Sequence, residues 1–323
     1  MRAVVVHEWG DLDDLKIEDV PSPVPGEGEV LIEVHAAGVN FADLLIVKGE
    51  YQHKPAFPFS PGAEAAGIVR ALGPGVGGLR VGERVLAFLD HGGYAEEVVA
   101  RADEVTPIPE VMDFETAATL PVVYATSHLA LGHRARLQPG EVLLVHGASG
   151  GVGLTAVEVG KAMGATVIAS ASSAEKLHVA LEHGADFVIN YAEEDIRQRV
   201  LDLTDGADVV YDPVGGDAFT ASLRCINPGG RILVIGFASG TVPQIPANHL
   251  LVKDASALGF SLTQLRRNEP EAVQDAMQEL LGWYASGRLQ PLVSSTVPFE
   301  DFADAMRLLR DRRSTGKVAI RVQ

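Results

Sequence analysis

Residues 142–163 constrain the fold of this chain more than any other segment. Val142-Leu-Leu-Val-His146 is a short apolar run of strand length, and it leads directly into Gly147-Ala-Ser-Gly150-Gly151-Val-Gly153. Ala156, Val157, Val159, Gly160 and Met163 then recur at helical spacing, which predicts an amphipathic helix. In a strand–turn–helix of this kind, glycines let the backbone come close to a pyrophosphate, and the unpaired amides and dipole of the helix N-terminus hold its charge. The usual G-x-G-x-x-G appears here as A-x-G-x-x-G, with Ala148 in the first place. Turn or packing glycines alone would not require a strand before and a helix after, and both are present. Ser149, Gly150, Gly151, Val152 and Gly153 are therefore the expected phosphate contacts.

The flanking sequence extends the same pattern. Between Glu141 and Phe260 short apolar runs alternate with helical stretches: Thr166–Ser170, Phe187–Asn190, Asp208–Tyr211 and Arg231–Gly236 read as strands, with helices between them. Alternation at this spacing predicts βαβ units and a parallel sheet. The first 115 or so residues differ, with short β-branched runs (Ala3–Val6, Glu29–Val34, Ala66–Ala71, Arg84–Phe88, Glu96–Val99) cut by Gly and Pro turns. That texture predicts an antiparallel, barrel-like module. After Phe260 come a helix (Pro270–Ser286), a strand (Leu292–Val297), a helix (Phe299–Arg310) and a last strand (Lys317–Val322), which is expected to return to the first module. The domains expected are 119–259 for the nucleotide and 1–118 with 260–323 for the rest.

Composition narrows the partners. With 26 basic and 43 acidic residues, the 323-residue chain carries a formal charge of −17, which repels phosphate backbones and anionic membranes. Neither a nucleic-acid nor a membrane partner is expected. The single cysteine, Cys225, cannot form an intramolecular disulfide or a Cys-rich zinc site, and no apolar run approaches the roughly 18 residues of a membrane span. A cytoplasmic location is the expectation. The ten histidines have no metal-ligand spacing, His146 in the central apolar run reads as a core residue, and no G-x-S-x-G elbow accompanies the serines.

The second strand of a dinucleotide-binding sheet commonly ends in Asp or Glu, which bonds the ribose 2′-hydroxyl of NAD. Here Thr166–Ser170 runs into Ala171-Ser172-Ser173-Ala174-Glu175-Lys176, with no acid at the strand end. Ser172, Ser173 and Lys176 suit a 2′-phosphate, so NADP is favoured over NAD. One of the serines could equally cap the following helix, and the two roles are compatible.

Further motifs are Gly38-Val39-Asn40 with Asp43, Lys48-Gly49-Glu50-Tyr51, Pro61-Gly62-Ala63-Glu64-Ala65-Ala66-Gly67, Val81-Gly82-Glu83-Arg84-Val85, and Gly93-Tyr94-Ala95-Glu96. Leu120-Pro121, Tyr124-Ala125-Thr126, Asp212-Pro213-Val214-Gly215-Gly216, Gly229-Gly230-Arg231 and Thr315-Gly316-Lys317-Val318 follow. In this order and spacing, across nearly the whole chain, they resemble the medium-chain dehydrogenase/reductase superfamily, and within it the zinc-free NADPH:quinone oxidoreductases related to ζ-crystallin. The resemblance implies an α/β fold, with a Rossmann-type doubly wound parallel sheet domain beside a GroES-like β-barrel-type catalytic domain, and a homodimer. It also sharpens the reading on metals. Zinc alcohol dehydrogenases of the superfamily carry a cysteine in the segment matching Val39–Asp43 and Gly-His-Glu where this chain has Gly62-Ala63-Glu64; neither ligand is present here.

Without a Lewis acid, alcohol oxidation is disfavoured, while hydride transfer from NADPH to a quinone or another conjugated carbonyl needs only a few donors for the oxygen that becomes negative. The resemblance implies Asn40 and Tyr51 as those catalytic donors, with Asp43 at a polar position one turn on. It implies that Thr126 contacts the carboxamide, that Tyr191 lies beside the adenosine phosphate, and that Gly236, Phe237, Ala238 and Ser239 serve the nicotinamide half. From the residues alone, Asn40 reads also as a turn former, Tyr51 as a surface aromatic of its loop, Phe237 as loop packing and Tyr191 as a strand-end aromatic. The function expected is NADPH-dependent quinone reduction without a metal. Reduction of an enone or enoyl double bond uses the same site, and an NADPH-binding structural or RNA-binding protein is the reading from a different class.

Overall fold

A computed structural model describes residues 1–323. The chain divides into two units, Met1–Val122 with Pro291–Gln323, and Val123–Gln290. The first unit begins with β1 (Arg2–Val5), β2 (Lys16–Asp19), β3 (Glu29–Val39), α1 (Phe41–Val47), β4 (Glu64–Leu72), β5 (Arg84–Phe88), β6 (Glu97–Arg101), β7 (Val105–Pro107) and α2 (Phe114–Ala118). A helix, α3 (Pro121–His128), crosses the boundary. The second unit holds β8 (Val142–His146), α4 (Gly151–Ala162), β9 (Thr166–Ala171), α5 (Ala174–Glu182), β10 (Phe187–Asn190), α6 (Ile196–Thr204), β11 (Ala207–Asp212), α7 (Gly216–Cys225) and β12 (Ile226–Val234). It ends with α8 (Ala247–Lys253), β13 (Ser256–Gly259), α9 (Leu262–Asn268) and α10 (Pro270–Ala285), after which β14 (Val293–Pro298), α11 (Phe302–Arg310) and β15 (Lys317–Arg321) rejoin the first unit.

In the second unit six strands form one parallel sheet in the order β10-β9-β8-β11-β12-β13. Numbered within the unit this is 3-2-1-4-5-6, the doubly wound order whose switch point lies between its first and fourth strands. Leu143, Leu144, Val145, Val167, Ile168, Val209 and Val210 are fully buried, as strands covered by helices on both faces require.

The first unit is largely antiparallel, with strands in the order β14-β15-β3-β4-β5-β7. The expected strand Glu29–Val34 continues to Val39 because β3 is shared: Glu29–Glu33 pairs with β6, and Ala36–Val39 pairs with β15, both opposite β4. The last strand thus returns to the first module as expected. Both boundaries differ, the first by only four residues, since the first unit runs to Val122 where 118 is expected. The first unit resumes at Pro291 instead of 260, because α10 buries Val273, Ala276, Met277, Leu280 and Leu281 within the nucleotide unit. His128 of α3 bonds Glu279 at 2.9 Å and packs on Trp283 there.

Candidate active site

The nucleotide half forms at the carboxyl ends of β8, β9, β11 and β12. Gly150 caps α4, and the first intrahelical bond is Leu154 N–H to the Gly150 carbonyl at 2.8 Å. The N–H groups of Gly151, Val152 and Gly153 therefore have no carbonyl one turn back, which is the donor set an anion takes at a helix N-terminus. A Cβ on Gly153 would lie 2.1 Å from the Gly147 carbonyl oxygen, so glycine is what lets α4 close onto the strand end. Nothing crowds Gly150, where a Cβ would come no nearer than 3.5 Å to that oxygen. These residues fit a dinucleotide: bare backbone, free amides and no carboxylate at the turn.

Two loops flank the turn. Asp212, buried at the end of β11, accepts from Val214 N–H at 2.8 Å and Gly215 N–H at 2.9 Å, which fixes the 212–216 loop beside Gly147. The loop after β12 folds back on it through Ala238 N–H to Pro213 O and Ser239 N–H to Val214 O, both 3.0 Å. Gly236, Phe237, Ala238 and Ser239 thus sit at the strand ends where the sequence puts them, and the Phe237 ring is exposed. Thr126 is held next to α4 by its neighbour: Ser127 Oγ bonds the Val152 carbonyl (3.1 Å), Thr155 Oγ1 (2.8 Å) and the Tyr211 hydroxyl (3.1 Å).

At the end of β9, Ser173 caps α5 and its Oγ accepts from Lys176 N–H. The capping role is therefore real, and it sets Ser172 between the end of β9 and the first turn of α5, the turn that carries Lys176, with no acid in the chain from Ala171 to Ala174. Tyr191 joins them through its N–H to Ala171 O at 3.1 Å, and its ring is exposed. His146 is a core residue as expected: its ring nitrogens bond Ser170 Oγ (2.8 Å) and Ser222 Oγ (2.7 Å), and burial lowers its pKa, which keeps it neutral.

The first unit contains a buried polar cluster that the sequence shows only in scattered pieces. Asn40 sits at the N-cap of α1 and is 5% exposed. Its Nδ2 donates to Glu64 Oε1 at 2.8 Å, and its Oδ1 accepts from Lys317 Nζ at 2.7 Å. Lys317 Nζ also donates to Glu64 Oε1 at 2.8 Å and to Val39 O at 2.9 Å, while Glu64 Oε2 accepts from Val122 N–H at 2.8 Å. Asp43 Oδ2 accepts from Asn40 N–H and from the Tyr94 hydroxyl, each at 2.8 Å. Gly38 is the residue that makes room: a Cβ there would lie 2.2 Å from Glu64 Oε1. Tyr51 lies four residues beyond the end of α1, partly buried against the core of this unit. Glu64, Tyr94 and Lys317 are the buried partners of Asn40 and Asp43 that the sequence does not single out. The one local signal was Glu64, the lone charged residue in Pro61-Gly62-Ala63-Glu64-Ala65-Ala66-Gly67; Tyr94 and Lys317 share their short motifs with Glu96 and Thr315 and do not stand out.

These residues do not fit zinc. The carboxylate of Glu64 is already bonded to an ammonium, and the surrounding groups are an amide, a phenol and a second carboxyl, with no cysteine or histidine among them.

Burial raises the pKa of Asp43 to about 6, against the bonds from Asn40 and Tyr94 and the nearby Lys317 charge, which favour the carboxylate. A carboxyl whose pKa rises on folding favours the folded state while protonated. That contribution is complete below the unfolded value of 3.8 and is lost as pH rises through about 6. Asp43→Asn cannot ionise. Between pH about 4 and about 7 its unfolding free energy, from urea titrations, should therefore gain about 2 kcal/mol relative to the parent. A difference that does not change with pH would contradict this account of Asp43.

Comparison with known proteins bears on both units. Residues 26–110 match the family model "Alcohol dehydrogenase GroES-like domain", and residues 151–281 match "Zinc-binding dehydrogenase". The quinone oxidoreductase-like protein 2 homolog of Nematostella vectensis is 39% identical over 324 residues, covering 99% of this chain and 88% of that protein. Among solved structures, Escherichia coli quinone oxidoreductase complexed with NADPH is 32% identical with a TM-score of 0.93, and covers all of both chains. The quinone oxidoreductase of Thermus thermophilus, also solved with NADPH, is 37% identical with a TM-score of 0.88 and the same coverage. The order 3-2-1-4-5-6 of the nucleotide sheet, the GroES-like module that carries Asn40, and relatives of this identity over the full length lead to one conclusion: the chain belongs to the medium-chain dehydrogenase/reductase superfamily, in its quinone oxidoreductase branch.

Proposed function

We propose that this chain is an NADPH-dependent reductase of quinones that works without a metal. The observation that carries the reading is the Asn40 cluster, which offers hydrogen-bond donors and a closed ion pair in place of metal ligands. When bound, NADPH supplies the hydride. The amides of Gly151, Val152 and Gly153 hold the pyrophosphate, Lys176 and Ser172 hold the 2′-phosphate, and Thr126 with the Gly236–Ser239 loop orients the carboxamide end. Asn40 and Tyr51 stabilise the acceptor oxygen as it becomes negative, and that oxygen then takes its proton from water. A quinone fits this chemistry because it spreads the arriving charge over a conjugated ring and needs no Lewis acid.

The test is a comparison of acceptors with one enzyme preparation and NADPH: 1,4-benzoquinone, an enone and an enoyl thioester. Turnover of the quinone exceeding that of the others supports the proposal. Preference for either conjugated double bond shifts the reading to an enone or enoyl reductase, and binding of NADPH without turnover of any acceptor favours a structural role. The cofactor assignment has its own test. Lys176→Ala should weaken NADPH binding by about 1.5–3 kcal/mol, roughly 10- to 150-fold in Kd by fluorescence titration, and leave NADH nearly unchanged. Equal loss for both cofactors would show that Lys176 does not read the phosphate.

A further inference from the structure

An asparagine amide has two ends of nearly equal shape and opposite hydrogen-bonding character, so its function depends on which end faces the ligand. In this chain the choice is made by a buried ion pair. Lys317 Nζ sits 2.7 Å from Asn40 Oδ1, and Glu64 Oε1 sits 2.8 Å from Asn40 Nδ2. Turning the amide over would bring its NH2 group against an ammonium and its oxygen against a carboxylate, each buried and close to the other. Both contacts would become repulsive, and neither ion can turn away. The three hydrogens of Lys317 are all spent, on Val39 O, Asn40 Oδ1 and Glu64 Oε1, and Glu64 is held from its other oxygen by Val122 N–H. Asn40 Nδ2 carries two hydrogens and gives one to Glu64. The second is what the locked amide has left to donate.

We infer that Lys317 and Glu64 are positioning residues that fix the amide of Asn40 with Nδ2 as its outward donor. The inference rests on the reading above, in which Asn40 donates to the acceptor oxygen. It assigns a use to Lys317, the buried cation at the start of a strand whose other cation, Arg321, is exposed, and to Glu64, whose burial is costly unless both its oxygens are met. It also explains why a charge pair stands where a neutral pair would cost less to bury. Opposite charges on the two sides of an amide discriminate its two orientations more strongly than neutral partners do.

The test is a double-mutant cycle on turnover, with NADPH and 1,4-benzoquinone as substrates and NADPH affinity measured separately. Lys317→Met should lower kcat by about tenfold or more with the NADPH Kd unchanged, and Lys317→Arg, which keeps the charge and can still donate to Oδ1, should recover part of it. In an Asn40→Ala background, Lys317→Met should cost nothing further, because the lysine acts only through the amide. Glu64→Gln removes one charge with little change of shape, and it serves if Lys317→Met does not fold; its loss should be smaller, about severalfold, and should likewise vanish beside Asn40→Ala. A full loss in Asn40→Ala with near-normal kcat in folded Lys317→Met or Glu64→Gln overturns the positioning role and leaves Asn40 as a donor. Full additivity in the cycle overturns it too. Near-normal turnover in Asn40→Ala itself overturns the reading of Asn40, and the positioning role with it.

Discussion

Gly153→Ala should lose both NADPH binding and stability, while Gly150→Ala should lose only binding. The difference follows from what each new methyl meets. At Gly153 it would stand 2.1 Å from the Gly147 oxygen, 2.7 Å from the Gly147 carbonyl carbon and 3.0 Å from Ala148 Cα, and all three are backbone atoms that cannot swing aside. The helix α4 must then back away from β8, at a cost of about 1–3 kcal/mol or more, and its free amides move with it. A fall in NADPH affinity on the order of 100-fold is expected. At Gly150 the nearest atom is 3.5 Å away and φ is −82°, so the fold accepts the methyl. There it occupies the space a pyrophosphate needs, and affinity should fall about tenfold or more with Tm close to the parent. Thermal unfolding and fluorescence titration on both variants decide the matter. A Gly153→Ala protein with the parent's Tm would show that helix-to-strand contact is not what glycine provides there.

Asn40→Ala should lower kcat on the order of 10- to 1000-fold and leave the NADPH Kd nearly unchanged, because a donor to the developing oxyanion acts on the transition state and not on the bound cofactor. The structure adds a second consequence. Removing the amide takes one partner from Lys317 and one from Glu64, both buried, so a stability loss of about 1–3 kcal/mol should accompany the kinetic one. Assays well below the variant's Tm separate the two effects. Tyr51→Phe keeps the ring against the core and removes only the hydroxyl, so any loss of kcat there belongs to the hydrogen bond. If both variants turn over quinones and enones at the parent's rate, these residues only shape the site, and catalysis reduces to proximity.

Local pattern and tertiary structure contributed to different parts of this protein. The nucleotide unit was legible because its signals are local: an apolar run, a glycine turn and a helical face are adjacent in the chain, and the absence of an acid after Ser170 concerns a single strand end. The same locality explains where the reading stopped. The period of Val273, Ala276, Met277 and Leu280 shows that α10 has a face to bury but not against which sheet, so the boundary fell at 260 where the fold puts it at 291. The strand from Glu29 read as ending at Val34, since its continuation through Ala36-Ala37-Gly38-Val39 is set by pairing with β15, some 280 residues later. The buried polar cluster around Asn40 is the extreme case. Asn40, Glu64, Tyr94 and Lys317 lie in four separate motifs, and nothing local states that Lys317 meets an amide 277 positions away. The sequence by itself determined the fold class and the phosphate turn, because these depend on neighbours in the chain. The tertiary structure alone decided the partners of Asn40, because burying a charge requires an opposite one within bonding distance, and strand pairing is what brings it there.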